Sequence, residues 1–138
     1  MFIQIFYSLK KTQFKNLDII TSNVDLSGLE VETAGDSKRA FILKSQLMAY
    51  LKDSGAYYDY ILIDCPPSLS LLTINAFTAA DSLLIPVQCE FFAMEGLAQL
   101  NKTIELIISR LNPSLEIEGL LLTMYDSRNN ICKTVASE

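Results

Sequence analysis

Apolar and polar positions along this chain follow two rhythms: short continuous apolar runs, and longer stretches with apolar residues at helical spacing. From Asp36 to Lys52 the apolar positions Ala40, Leu43, Leu47, Tyr50 and Leu51 share one helical face, and Gly55 just beyond is a stop signal. Ile61, Leu62 and Ile63, entered through Tyr58-Asp59-Tyr60, predict a parallel strand buried on both faces, with Asp64 as the first charge where the backbone leaves the core. Ser68 or Ser70 can then cap a short helix through Ala79. A second buried strand is expected at Leu83-Leu84-Ile85-Pro86-Val87, where Pro86 marks the strand's last residues or an irregular spot. The longest helix runs from Met94 to Leu111. It points Met94, Leu97, Leu100, Ile104, Ile107 and Leu111 inward and Glu95, Gln99, Lys102 and Ser109 outward, and Asn112-Pro113 ends it. A third apolar strand spans Gly119 to Met124, and Asn129 or Asn130 begins a last helix. Upstream, Leu17 to Ile20 reads as a short strand and Phe2 to Tyr7 as either strand or helix. Strands alternating with helices of this length predict βαβ units and an α/β fold, a mostly parallel doubly wound sheet with flanking helices, in one domain over 1–138.

Composition narrows the function. The 138 residues are half hydrophobic, enough for one core, and carry a formal net charge of −5. That balance excludes nucleic-acid binding over the whole surface and restricts any such contact to a local patch. Three cysteines, Cys65, Cys89 and Cys132, lie far apart without a CxxC pair, which fits reduced thiols, and Cys89 and Cys132 read as small core residues. There is no histidine, which removes the commonest general base, Ser-His and Cys-His pairs and imidazole metal sites. No apolar run approaches membrane-spanning length, and the first residues lack a basic leader and cleavage site, so a cytoplasmic chain without a membrane partner is expected.

The candidate chemistry sits at Asp64. Pro66 and Pro67 fix φ and remove two backbone donors, so the loop after the carboxylate is held open. In doubly wound sheets the crevice outside the carboxyl ends of the strands holds the ligand, and a carboxylate there suits a hydrated Mg²⁺ bridging to phosphate. A strand-end aspartate also serves simply to cap a turn. The longer strings decide between these uses.

Those strings are Tyr58-Asp59-Tyr60-Ile61-Leu62-Ile63-Asp64-Cys65-Pro66-Pro67-Ser68-Leu69 with Leu71-Leu72-Thr73-Ile74-Asn75-Ala76, then Ile85-Pro86-Val87-Gln88-Cys89-Glu90-Phe91-Phe92-Ala93-Met94-Glu95-Gly96-Leu97, then Glu118-Gly119-Leu120-Leu121-Leu122-Thr123-Met124-Tyr125-Asp126-Ser127-Arg128. In this order they resemble the ParA/Soj partition ATPases, deviant P-loop NTPases of the ParA/MinD type. The resemblance runs from about Asn16 to the last residue and is weakest before Tyr58. It implies ATP and Mg²⁺ as cofactors, dimerisation, nonspecific DNA binding, a ParB-like partner, and movement of plasmids or chromosomal origins. Asp64 matches the family's Walker B aspartate, which orders the Mg²⁺ shell, and Cys65, Pro66, Pro67 and Ser68 match the switch beside the nucleotide. Arg128 matches a basic position that contacts DNA phosphates, and Lys133 lies near it in sequence. Gln88 and Glu90 match positions near nucleotide and subunit interface, and read as structural here.

One departure is large. The family's phosphate loop is glycine-rich and ends in lysine and Ser/Thr, and none of Gly28, Gly35, Gly55, Gly96 or Gly119 begins a GxxxxGK[ST] run. The family's first strand, phosphate loop and first helix, and the catalytic aspartate of its first switch, would precede Met1, and further elements would follow Glu138. The expectation is therefore the middle of a ParA-like protein, truncated at both ends, with no catalytic residue assigned and ATP neither hydrolysed nor held tightly. Exposed edges predict self-association or pairing with a ParA-type subunit. The alternative is a nucleotide-free interaction module acting on intact ParA-type subunits. A receiver-like signalling domain with Asp64 as phosphoacceptor would need an acidic pair and a lysine that are not found.

Overall fold

The structure is a computed structural model that describes residues 9–66, 68–89 and 93–137; the segment from Phe2 to Tyr7 lies outside them. The chain divides into two units, Met1–Ala79 and Ala80–Glu138.

In the first unit β1 (Leu9–Lys11) and β2 (Asp18–Ile20) pair antiparallel, with Lys11 opposite Asp18. The short strand expected near Ile20 is thus one arm of a hairpin. Lys11 Nζ donates to Asp18 Oδ2 at 2.7 Å, and the Tyr58 hydroxyl donates to the same oxygen at 2.7 Å. These donors, Lys11 first, hold the Asp18 carboxyl below its ordinary range, while the carboxylate pushes the Tyr58 hydroxyl well above its own.

A 3₁₀ turn at Val24–Gly28 leads into the single-turn α1 (Leu29–Glu32), and another at Arg39–Phe41 opens α2 (Ile42–Ser54). The helix expected from Asp36 begins later because the Asp36 carboxylate turns back to accept the Lys38 N–H at 2.7 Å, a local bond that competes with helix. Gly55 ends α2 as expected, at a left-handed φ of 63° that a side chain would disfavour. Helix α3 (Leu71–Ala79) is apolar nearly all round and buries Leu71, Thr73, Asn75, Ala76, Phe77 and Thr78, as a helix enclosed by its neighbours must. Leu71 joins Leu29 and Ile42 in the buried cluster of this unit.

Two expectations here are corrected. The run over 58–63 is not a strand: it has no ladder partner, and Leu62 and Tyr60 are 94% and 85% exposed. A parallel strand exists only where neighbours satisfy its N–H and C=O groups. Among the described residues the ladders join only β1 to β2 and β3 to β4, and no strand pairs with this run. The second correction concerns the start of α3, where among the described residues no serine hydroxyl accepts a backbone N–H. The Thr73 hydroxyl donates to the Ser68 carbonyl at 2.6 Å and the Ile74 N–H to the Ser70 carbonyl at 3.1 Å, while Ser70 Oγ is buried without a partner.

The second unit is a βαβ motif. Strand β3 (Ser82–Gln88) pairs parallel with β4 (Glu116–Thr123) and α4 (Ala93–Arg110) forms the crossover. Helix α4 packs on β3 and buries Ile104 and Ile107, while Gln99, Lys102 and Ser109 face water, matching the helical spacing in the sequence. Pro86 sits inside β3 opposite Leu121; its missing donor is tolerated because β3 has one ladder partner and an open edge. Asn112 ends the crossover as expected, and its buried amide donates to the Ala80 carbonyl at 2.8 Å, fixing the entry to β3. Burial in the pair is uneven: Ile85 and Val87 are buried, Leu84 and Leu121 are exposed on the opposite face, and Leu120, the partner of Ile85, is exposed as well. The third strand ends one residue earlier than expected, since Met124 adopts a left-handed φ of 54°. Helix α5 (Asn130–Ser137) follows where Asn129 or Asn130 predicts it.

Candidate functional site

Asp64 lies in the first unit, at the end of the irregular apolar run and before Pro66. Its carboxylate is exposed, and among the described residues it enters no hydrogen bond or salt bridge and caps no helix. Next to it the Cys65 thiol is half-buried and donates to the Ile63 carbonyl at 3.7 Å. Burial pushes that thiol up, and the Asp64 charge adds to the effect, which favours the neutral form. Pro66 is exposed, and Pro67 lies outside the described residues.

The donor set fits Mg²⁺ in one particular way. Among the described residues no group of three acidic, cysteine or histidine side chains converges, so Asp64 offers one carboxylate rather than part of a cage. Mg²⁺ accepts that arrangement, keeping waters and taking its other ligands from phosphate. A depression lined by Asp36, Lys38, Ile42, Ser45 and Gln46 holds only 160 Å³, below the roughly 300 Å³ at which ligand pockets begin.

In the second unit the loop after β4 carries Arg128. Its Nε donates to Asp126 Oδ1 at 3.0 Å and its Nη2 to Asp126 Oδ2 at 2.8 Å, while its backbone N–H donates to Oδ1 at 2.9 Å. The guanidinium, then the backbone donor, hold the Asp126 carboxyl below its ordinary range. Lys133 is exposed on α5, Gln88 is exposed at the end of β3 and Glu90 lies outside the described residues. Sequence reasoning missed Asp126, although a carboxylate two residues before an arginine in a loop is a readable signal for this pairing.

The structure also brings together two cysteines remote in sequence. Cys132 Sγ donates to the Cys89 carbonyl at 3.7 Å, with both residues buried. Burial, then the neighbouring Cys132 thiol, push Cys89 up, consistent with the core role their sequence positions suggest.

The parallel pair with its crossover helix defines an α/β fold. Residues 3–117 match the family described as "AAA domain". The chromosome partitioning protein ParA of Caulobacter vibrioides (strain NA1000 / CB15N) is 51% identical over 128 residues, 93% of this chain and 47% of that protein. The sporulation initiation inhibitor protein Soj of Bacillus subtilis (strain 168) is 50% identical over 130 residues, 94% of this chain and 50% of that one. Among solved structures, cobyrinic acid a,c-diamide synthase from Mycobacterium smegmatis with bound ADP and magnesium superposes with a TM-score of 0.86 at 34% identity, covering 98% of this chain and 53% of that one. The chain belongs to the ParA/Soj family of partition ATPases. It spans about half the length of the curated relatives it matches. Among the described residues no helix is long and apolar enough to cross a membrane.

Proposed function

We propose that these 138 residues supply the Walker B half of a chromosome- or plasmid-partitioning ATPase. Asp64 orders the water shell of Mg²⁺ beside ATP, Cys65, Pro66 and Pro67 form the adjoining switch, and Arg128 contacts DNA phosphate. The observation that carries this reading is the Asp64 carboxylate, exposed and unpaired among the described residues before a turn that proline keeps open. The partition proteins, with about half of the aligned residues identical, weigh more than the synthase at 34%. The group absent from the sequence is the triphosphate cradle; one carboxylate without it holds Mg²⁺ weakly.

A titration with a fluorescent ATP analogue and Mg²⁺ tests this. The 138 residues alone are expected not to saturate in the low micromolar range, and saturation there would overturn that part. Placed behind the N-terminal portion of the Caulobacter relative, the chain is expected to bind, and Asp64→Asn to weaken Mg²⁺-dependent binding by roughly tenfold or more. An unchanged affinity would remove Asp64 from the metal site.

A second reading, a module that pairs with ParA-type subunits, draws on the exposed Tyr57, Tyr60, Ile61 and Leu62. Unpaired backbone beside apolar side chains favours strand addition by another chain. Sedimentation velocity is expected to show mass above the monomer that rises with concentration, for the chain alone or mixed with a complete ParA-type protein. A monomer throughout, unchanged by the mixture, would remove both self-association and the module reading.

A further inference from the structure

We infer that Asp126 is the internal occupant of the Nε/Nη2 fork of Arg128, so that a DNA phosphate engages that fork only by displacing it. The inference rests on the reading of Arg128 as a phosphate contact and concerns how that contact is regulated. A guanidinium presents a fixed fork of donors that suits a carboxylate and a phosphate equally. In this structure two of those donors, Nε and Nη2, are taken by the two Asp126 oxygens at 3.0 and 2.8 Å. The Arg128 backbone N–H closes on the same carboxylate at 2.9 Å, so the loop is wound around Asp126. Met124, two residues before, holds a left-handed φ of 54° and is 80% exposed. A methionine in that conformation without burial to compensate is strain of the kind that clusters at ligand-binding loops.

Exposure makes the closure reversible. The Arg128 side chain is 89% exposed and that of Asp126 45%, and a solvated pair of this type is worth a factor of roughly two to five in equilibrium terms. One phosphate cannot count on winning that exchange, but a duplex that brings several contacts can. In a chain of net charge −5, a carboxylate held against the arginine also suppresses binding to stray single anions.

The test measures fluorescence anisotropy of a short duplex of arbitrary sequence at low ionic strength with the full 138-residue chain. It compares the unsubstituted chain, Asp126→Asn, Arg128→Ala and the double variant. Asp126→Asn is expected to tighten binding by roughly two- to fivefold, and to do far less when Arg128 is already alanine. Equal tightening in both backgrounds would reduce the effect to net charge, and weaker binding by Asp126→Asn would make Asp126 a support for Arg128 rather than its competitor; either overturns the inference. If Arg128→Ala leaves affinity unchanged, or the unsubstituted chain binds no duplex, the phosphate reading of Arg128 itself fails. A second readout needs no substitution of Asp126: the Arg128 Nε–H NMR resonance is expected to move as duplex is added, and a resonance fixed at saturation overturns the exchange.

Discussion

Asn75→Ala is expected to lower the stability of the first unit by about 2–4 kcal/mol, because one buried amide there holds three backbone groups. Asn75 is 3% exposed. Its Oδ1 accepts the Leu43 N–H at 3.1 Å, and its Nδ2 donates to the carbonyls of Arg39 at 2.8 Å and Leu71 at 3.0 Å. The Leu43 N–H lies in the first turn of α2, where a helix has no partner of its own for its amides. The residue before that turn, Phe41, supplies no side-chain cap, so the cap comes from α3. Alanine removes the bonds and leaves the Leu43 N–H and the Arg39 carbonyl without that partner in a part-buried place. Stranding such groups costs about 1–3 kcal/mol each, a large part of a small domain's stability. Urea denaturation measures the loss, and hydrogen exchange at Leu43 locates it. A change under about 1 kcal/mol, with Leu43 still protected, would show that water replaces the amide at little cost.

Asn75 also shows where sequence reading stops. The helix containing it was legible, since an apolar run after a serine-proline turn and before Asp81 leaves little else. That its amide reaches the start of another helix was not legible, because such a bond depends on tertiary packing, which periodicity does not encode. The second unit was read almost whole. Apolar strand, long amphipathic helix and apolar strand are local signals, and the βαβ motif needs only neighbours in sequence to form. The segment over 58–63 was misread for the complementary reason. Its composition is that of a buried parallel strand, but burial and pairing come from other strands, and none among the described residues provides them. Of the candidate site, the Asp64 and Arg128 positions came from short strings, whereas the Asp126 fork around Arg128 came only from the geometry.

Ile104→Ala is expected to be the most damaging single truncation in the second unit, at about 2–5 kcal/mol. Ile104 is 1% exposed on the face of α4 that also buries Ile107, and α4 packs on β3, whose Ile85 and Val87 are buried. Deleting three carbons there forfeits their transfer energy and leaves a cavity that close-packed neighbours fill only in part. A larger sheet could share that loss among strands. This one has two, and Leu84 and Leu121 on its other face are exposed, so the face under α4 supplies most of the apolar burial in the βαβ motif. Leu106 on the same helix is 54% exposed, and Leu106→Ala is expected to change stability by no more than about 0.5–1 kcal/mol. The pair separates packing from helix propensity, because alanine is a better helix former than either residue it replaces. Denaturation followed by amide protection in β3 and β4 measures both variants. Equal losses would mean that α4 is held by something other than its buried stripe, and the account of how β3, α4 and β4 stay together would have to be abandoned.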